Sequence, residues 1–225
     1  ASVRAPQLGA VCVKAILAKT GLDPAKVDEV IMGNVCQAGL QQNPARQAAI
    51  FGGVPTSVSA MTINKVCGSG LKSVALADQA IRAGDKECVI AGGMENMSQV
   101  PYALLKARDG LRLGDGQVTD LLVHDGLWDI YNNFHMGNTG ELVAEKYDIS
   151  REEQDAYAAN SHAKAIAAME ETARDTLPSG SGEAPVSFSA FLPFLSAFVS
   201  DLIFLVASAE AQLGVTGRVI LRPSG

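Results

Sequence analysis

Hydrophobic and polar positions follow two alternating periods along the first hundred residues. After Pro6, apolar residues recur every three or four positions, which predicts an amphipathic helix that ends before Gly21. The predicted apolar face of this helix consists of Leu8, Val11, Cys12, Ala15 and Ile16. Short apolar runs at residues 27–35 and 87–91, and a third run before Cys67, predict strands. Further helices are predicted from about Pro44 to Phe51 and from Cys67 to about Gly84. Alternation of this kind predicts βαβ units, and so an α/β fold with a parallel-rich sheet.

The pattern changes twice after residue 97. Between residues 101 and 140 any regular period is broken by glycines, among them Gly110, Gly114, Gly116, Gly126 and Gly137, which predicts a loop-rich segment. Ser150 and Glu153 then form a capping-box pattern that predicts the start of a further helix. We therefore divide the chain into a core at residues 1–97, an extension at 98–170 and a tail at 171–225.

The tail differs from the rest in composition. Residues 176–185 are rich in Ser, Gly and Pro, as in a linker, and residues 186–209 are almost continuously apolar. Asp201 near a membrane centre would cost about 3 kcal/mol, and Pro193 would interrupt a helix. Both features argue against a membrane-spanning segment.

Cys67 falls between the predicted strand pattern and the helical pattern, where its thiol meets the N-terminus of a helix. The unpaired N–H groups and the positive dipole end there favour the thiolate, which is the nucleophilic form. Gly68 and Gly70 leave room for an acyl group to approach. The alternative for Cys67 is a small buried apolar residue at a strand end, because free cysteines are often buried. A phosphate-binding loop is excluded, because Leu71 separates Gly70 from Lys72.

Composition excludes several other classes. The net charge is −6 and no run of basic residues occurs, which argues against nucleic-acid binding. The four cysteines and three histidines are too far apart in sequence to predict a metal site or a redox pair. We expect reduced thiols, with core packing as the role of Cys12, Cys36 and Cys88. Because the first residues lack the apolar core of a signal peptide, we expect a cytoplasmic protein, or a mitochondrial or peroxisomal one if a leader has been removed.

The segment around Cys67, Asn-Lys-Val-Cys-Gly-Ser-Gly-Leu-Lys-Ser, resembles the nucleophile segment of thiolases. The resemblance continues in the same order through residues 27–35, 41–49, 91–98, 125–129 and 135–137, and it covers about residues 5–170. Its density favours the acetoacetyl-CoA branch, acetyl-CoA acetyltransferase. The β-ketoacyl synthases share the fold and the cysteine placement, but the residues near Cys67 favour thiolase.

The resemblance implies a fold, a reaction and a site. The fold is the N-terminal half of a thiolase with its loop-rich extension. The reaction is condensation of two acetyl-CoA molecules to acetoacetyl-CoA, or its thiolytic reverse, through an acyl group on Cys67. His135 and Met136 border the acyl-CoA pocket. Coenzyme A is the substrate carrier, no other cofactor is implied, and the family forms homo-dimers or tetramers.

Two departures from the thiolase pattern limit this expectation. The sequence starts after the family's first strand, which lies in the middle of the sheet. The family's Asn-Glu-Ala-Phe, Gly-His-Pro and Cys-Gly-Gly-Gly segments are not present. We therefore predict a truncated thiolase with impaired turnover, whose tail is unrelated sequence from a frameshift, read-through or alternative splicing. The alternative is an inactive fragment that acts only through oligomerisation.

Overall fold

A computed structural model of the chain describes residues 2–176 and 205–207. These residues form two compact units: residues 2–128 with residues 205–207, and residues 129–176. The domain boundaries given above stay a prediction. The predicted linker at 176–185 and most of the apolar run at 186–209 lie outside the described residues.

The described elements alternate as the sequence predicts. The helices are α1 (Ala5–Thr20), α2 (Pro44–Phe51), α3 (Ser69–Ala83), α4 (Met136–Lys146) and α5 (Arg151–Thr176). The strands are β1 (Glu29–Gly33), β2 (Ser59–Ile63), β3 (Val89–Gly93), β4 (Tyr102–Ala103), β5 (Thr119–Asp120), β6 (Trp128–Asp129), β7 (Phe134–His135) and β8 (Leu205–Ala207). Short helical turns lie at Pro24–Lys26, Met97–Gln99, Ala107–Asp109 and Val123–Leu127.

The main sheet of the first unit has the strand order β2-β1-β3-β8. β1 pairs in parallel with both neighbours, so that Val30 lies opposite Ala60 on one side and Ile90 on the other. β8 pairs antiparallel with β3. The α/β prediction with a parallel-rich sheet is confirmed. β1 and β3 pair directly along all five residues of each strand.

Side chains that alternate along the strands divide the core into two layers. Val30, Met32 and Ile90 belong to a cluster with residues of α1 and α2. Ile31 points to the opposite face and joins a cluster with Ala77 and Ile81 of α3, to which Val89 and Ala91 of β3 also belong. The sheet is therefore covered by helices on both faces, which explains why β1 and β3 are nearly continuous apolar runs.

The first helix forms as predicted but buries another face. Gly21 ends α1 in the left-handed conformation, with its N–H donating to the Leu17 carbonyl oxygen at 3.0 Å. The buried residues are Ala5, Pro6, Gly9, Ala10, Val13 and Leu17. The predicted face was therefore wrong, since Val11 is 51% exposed. The reason is close packing on α2 and on Met94, the residue after β3, because a Cβ at Gly9 would lie 3.0 Å from the Ala48 Cβ and 2.7 Å from the Met94 Sδ.

Two further expectations need correction. The strand before Cys67 is shorter and less buried than predicted, because β2 forms the edge of the sheet and Val66 lies outside it, 51% exposed. Helix α4 begins inside the segment predicted to be loops. The capping box of α5 is confirmed, because the Ser150 N–H donates to Glu153 Oε2 at 2.9 Å and the Glu153 N–H donates to Ser150 Oγ at 3.2 Å.

Two glycines bring the start of α3 onto the carboxyl ends of the central strands. A Cβ at Gly33, the last residue of β1, would lie 2.6 Å from the Gly70 amide nitrogen and 2.6 Å from the Ser69 carbonyl carbon. A Cβ at Gly93, the last residue of β3, would lie 3.2 Å from the Gly70 Cα. Backbone is packed on backbone at this contact, so no side-chain rotation could relieve an added methyl group.

We expect Gly33→Ala to lower the free energy of unfolding by about 1–3 kcal/mol, because it overpacks this contact. Gly140→Ala is the matched control: it adds the same methyl group within α4, where no atom lies within 4 Å, and should leave stability equal or slightly higher. Urea unfolding followed by circular dichroism measures both. Equal stability of the two variants would contradict the close contact.

Candidate active site around Cys67

Cys67 lies in the turn between β2 and α3, two residues before the helix begins, and it is exposed. We call residues 64–69 the Cys67 turn. The alternative of a buried apolar cysteine is wrong for this residue. The other cysteines of the chain differ from it, because Cys36 and Cys88 are buried and Cys12 is partly buried. The thiol of Cys67 is thus open to a reactant at the start of a helix.

The backbone of the Cys67 turn is strained. Val66 has a φ of 47°, in the left-handed region that β-branched residues rarely adopt and that costs about 1–3 kcal/mol. Two backbone bonds close the turn: the Gly68 N–H donates to the Lys65 carbonyl oxygen at 3.1 Å, and the Ser69 N–H donates to the Val66 carbonyl oxygen at 3.0 Å. This conformation turns the chain from the strand direction into the helix within a few residues.

Two side chains also bond to this turn. Asn64 Oδ1 accepts from the Val66 N–H at 2.8 Å, and Asn64 Nδ2 donates to the Val35 carbonyl oxygen at 3.4 Å. Ser69 Oγ accepts from the Lys65 N–H at 2.8 Å and donates to the Val66 carbonyl oxygen at 2.5 Å. Both polar groups of the Val66 backbone are therefore bonded to side chains of the same turn.

The N–H group of Cys67 itself has no hydrogen-bond partner among the described residues. It precedes the first turn of α3, where unpaired N–H groups give the helix end a partial positive charge. A developing negative charge on a thioester oxygen is stabilised by such donors. The turn therefore places a thiol and a donor for an oxyanion on the same residue.

A buried polar network lies at the carboxyl ends of the same strands. Asn34, which follows β1 and is 1% exposed, donates from Nδ2 to the Met94 carbonyl oxygen at 3.1 Å and to Glu95 Oε1 at 2.8 Å. Glu95 Oε2 accepts from the Val35 N–H at 2.8 Å. Burial raises the pKa of the Glu95 carboxyl group, and the bonds from the N–H groups of Val35 and Cys36 and from Asn34 oppose that rise. The network fixes the loop after β1 against the loop after β3.

The other three thiols ionise less readily than a free cysteine. Burial raises the pKa of Cys12, Cys36 and Cys88 to about 11 each. For Cys36 the nearby carboxylates of Glu95 and Asp125 add to the rise, and for Cys88 that of Asp28 does. Because the thiolate is the nucleophile, these residues are poor candidates for covalent chemistry. Their position fits the core-packing role predicted for them.

His135 and Met136 lie in the second unit, at the start of α4. His135 caps the helix: its Nδ1 accepts from the Gly137 N–H at 3.0 Å. A neutral imidazole with Nδ1 as acceptor carries its proton on Nε2, which leaves a donor for a ligand. Met136 is 37% exposed. The roles of Cys67, His135 and Met136 in binding or catalysis stay predictions, and Cys67 lies in the other unit.

Sequence reasoning missed the residues that hold the Cys67 turn: Gly33, Asn34, Asn64, Ser69 and Glu95. Asn64 carries a local signal, since an Asn side chain commonly bonds to the N–H two residues later. Ser69 also acts locally, on the N–H four residues earlier and on the carbonyl oxygen three residues earlier. Gly33, Asn34 and Glu95 act across elements that are distant in sequence, so no local pattern marks them.

Within residues 2–176 and 205–207, no three His, Cys, Asp or Glu side chains are grouped closely enough to hold a metal ion. No helix in those ranges is both long enough and apolar enough to cross a membrane.

Comparison with known proteins identifies the family. Residues 1–179 match the family described as thiolase, N-terminal domain. The chain belongs to the thiolase family. It is 58% identical over 170 residues to an acetyl-CoA acetyltransferase of Pseudomonas aeruginosa, covering 76% of this chain and 43% of that protein. It is 54% identical over 194 residues to an acetyl-CoA acetyltransferase of Cupriavidus necator, covering 84% of this chain and 49% of that protein.

A third relative is a probable acetyl-CoA acetyltransferase of Escherichia coli, 56% identical over 166 residues, with 74% of this chain and 42% of that protein covered. The chain thus spans less than half the length of these curated relatives. The resemblance to thiolases stated from the sequence is confirmed, as is the thiolase-like α/β fold.

We expect iodoacetamide at pH 8 to modify Cys67 at least about tenfold faster than Cys12, Cys36 or Cys88. Cys12, Cys36 and Cys88 each have a pKa of about 11, so at pH 8, three units lower, only about one in a thousand of these thiols is ionised. Peptide mapping by mass spectrometry against time gives the four rates. If Cys12, Cys36 or Cys88 is alkylated as fast as Cys67, Cys67 is not the most reactive thiol and the prediction is wrong.

Proposed function

We propose that this chain takes part in acyl transfer between acyl-CoA molecules, with Cys67 as the residue that accepts the acetyl group. The observation that carries the proposal is the exposed thiol just before α3, in a chain of the thiolase family. The N–H group of the same residue has no hydrogen-bond partner in the part of the chain that the structure describes. The relatives' names, acetyl-CoA acetyltransferase, support acetyl-CoA as the substrate.

The first half-reaction follows from this geometry. The Cys67 sulfur attacks the thioester carbonyl carbon of acetyl-CoA, and a new carbon–sulfur bond forms. The bond between that carbon and the CoA sulfur breaks, and CoA leaves with the proton given up by Cys67. The Cys67 N–H stabilises the oxyanion that forms between the two events. Coenzyme A is then the carrier of the acyl group, with no further cofactor needed for this step.

The second half-reaction joins two acetyl units. A base removes a proton from the methyl group of a second acetyl-CoA, and the resulting carbanion attacks the acyl carbon on Cys67. The carbon–carbon bond of acetoacetyl-CoA forms, and the Cys67 thiolate leaves. The resemblance assigns the base and the second oxyanion site to segments outside this sequence. For residues 1–225 we therefore propose the half-reaction that their own groups support, which is acylation of Cys67.

His135 fits a part in substrate contact. Its capped Nδ1 leaves Nε2 as a donor for a thioester carbonyl oxygen or an amide of the pantetheine arm. Met136 adds a flexible apolar side chain beside it. A cytoplasmic location stays a prediction.

The expected outcome with radiolabelled acetyl-CoA is stable labelling of the chain at Cys67 and loss of the label, by about a thousandfold or more, in Cys67→Ser. Cys12→Ser is the matched control, since it changes another cysteine to serine without touching the Cys67 turn, and it should keep full labelling. Peptide mapping locates the label. If Cys67→Ser is labelled as strongly as the unchanged chain, acyl transfer through Cys67 is wrong.

A second candidate function is association with another subunit, in place of catalysis. It is favoured by β2, which pairs with β1 on one side and with no described strand on the other. Met61 in this strand is 39% exposed. An exposed edge strand with an apolar side chain is a common site of strand pairing between chains. The homo-oligomer expected from the resemblance would use this edge.

We expect Met61→Lys to weaken self-association by about tenfold or more, because it places a charge on the edge strand. Leu113→Lys adds the same charge at a 99% exposed residue outside the main sheet and should leave association unchanged. Sedimentation equilibrium over a range of concentrations measures both variants. A chain that stays monomeric at every concentration would rule out the β2 edge as a homo-oligomer interface.

A further inference from the structure

The Cys67 turn keeps a conformation that its own residues do not favour. Val66 is β-branched and adopts a φ of 47° immediately before Cys67. Its side chain is half exposed, so core packing does not hold it in place. The bonds that hold the residue must therefore come from polar groups.

Asn64 and Ser69 supply those bonds from the two ends of the turn. Asn64 bonds the Val66 N–H, and Ser69 bonds the Val66 carbonyl oxygen and the Lys65 N–H. Ser69 is 4% exposed, and its bonds are therefore shielded from competition with water.

The turn is also tied to the rest of the site on its outer side. Asn64 Nδ2 donates to the carbonyl oxygen of Val35, and the N–H of Val35 donates to Glu95 Oε2. The Asn34 N–H donates to the Ile63 carbonyl oxygen at 3.0 Å, which joins the end of β1 to the end of β2. A continuous set of hydrogen bonds thus runs from the partly buried Glu95 to the residue that precedes Cys67.

We propose that Asn64 and Ser69 are positioning residues for Cys67: they hold Val66 in the left-handed conformation and so aim the thiol and the N–H of Cys67 at one point in front of α3. The part of this inference that concerns acetylation of Cys67 rests on the proposed function. The two residues need not touch the substrate. A displacement of about 1 Å at a reacting atom can cost about a hundredfold in rate, so small changes in this turn have measurable effects.

Ser73 provides a matched comparison on the same helix. Its hydroxyl is fully buried and lies 2.6 Å from the Gly70 carbonyl oxygen and 2.8 Å from the Gly92 carbonyl oxygen. Loss of this hydroxyl removes a buried hydrogen bond between α3 and β3 without altering a bond of the Cys67 turn. Ser73→Ala therefore reports what a purely structural loss does to reactivity.

The experiment measures two rates at Cys67 by peptide mapping: alkylation by iodoacetamide and acetylation by acetyl-CoA. The chains compared are the unchanged chain, Asn64→Ala, Asn64→Ser, Ser69→Ala and Ser73→Ala. Because serine can accept from the N–H two residues later, although more weakly than asparagine, Asn64→Ser tests rescue by an uncharged acceptor. Asn64 is exposed, so its variants keep the test valid if Ser69→Ala fails to fold.

We expect Asn64→Ala and Ser69→Ala to lose about tenfold or more in acetylation and about threefold in alkylation, since acetyl transfer needs both the thiol and the N–H in place. Asn64→Ser should recover most of the acetylation rate and of the alkylation rate. Ser73→Ala should keep both rates within about twofold of those of the unchanged chain.

Three results separate the two proposals. Unchanged rates in Asn64→Ala, or an equal loss in Ser73→Ala, would overturn positioning and leave the proposed function intact. An unchanged chain that is alkylated but never acetylated at Cys67 would contradict the proposed function. In that case the alkylation rates alone test whether Asn64 positions Cys67. A slower alkylation of Asn64→Ala that is restored in Asn64→Ser supports the positioning role. Equal alkylation rates in the unchanged chain and Asn64→Ala overturn it.

Discussion

The contact of backbone with backbone between the start of α3 and the ends of β1 and β3 determines where Cys67 lies. Gly33 and Gly93 have no side chains, and this lets Ser69 and Gly70 approach closer than any Cβ would allow. Helix α3 thereby begins directly over the carboxyl edge of the parallel sheet. Loops at that edge are where α/β proteins place their ligands. The position of the thiol thus follows from two residues that carry no chemistry of their own.

Polar groups buried at the same edge give it rigidity. Asn34 and Glu95 join the loops after β1 and β3, and the bond between them is shielded in part from water. An unpaired polar group there would be costly, so the network favours one arrangement of the loops over others. Asn34 Oδ1 is buried and has no hydrogen-bond partner within the described ranges, which marks a place where this arrangement carries a cost. Rigidity at the edge and strain at Val66 thus occur side by side.

The four cysteines show how burial separates residues of the same type. Cys36 and Cys88 are enclosed by the core, and Cys12 lies partly within it, so the cost of desolvating a thiolate keeps them protonated. Cys67 follows a strained residue and lies on an exposed turn. A reducing compartment would leave all four as thiols, of which Cys67 is the exposed one.

The sequence by itself determined the order and type of the main elements, because hydrophobic period, caps and turn residues are local. Pro44 and Gly84 bound their helices as predicted, and the Ser150 capping box begins α5. The position of Cys67 between a strand and a helix was also visible in the residues around it.

Only the tertiary structure decided which face of α1 is buried, since close helix packing favoured Gly9 and Ala10 over the larger apolar residues beside them. It also decided that β2 is an edge strand and that Asn34 and Glu95 are linked by hydrogen bonds to the Cys67 turn. Those residues act through contacts between elements far apart in sequence, and such contacts exist only once the sheet has brought its strand ends together.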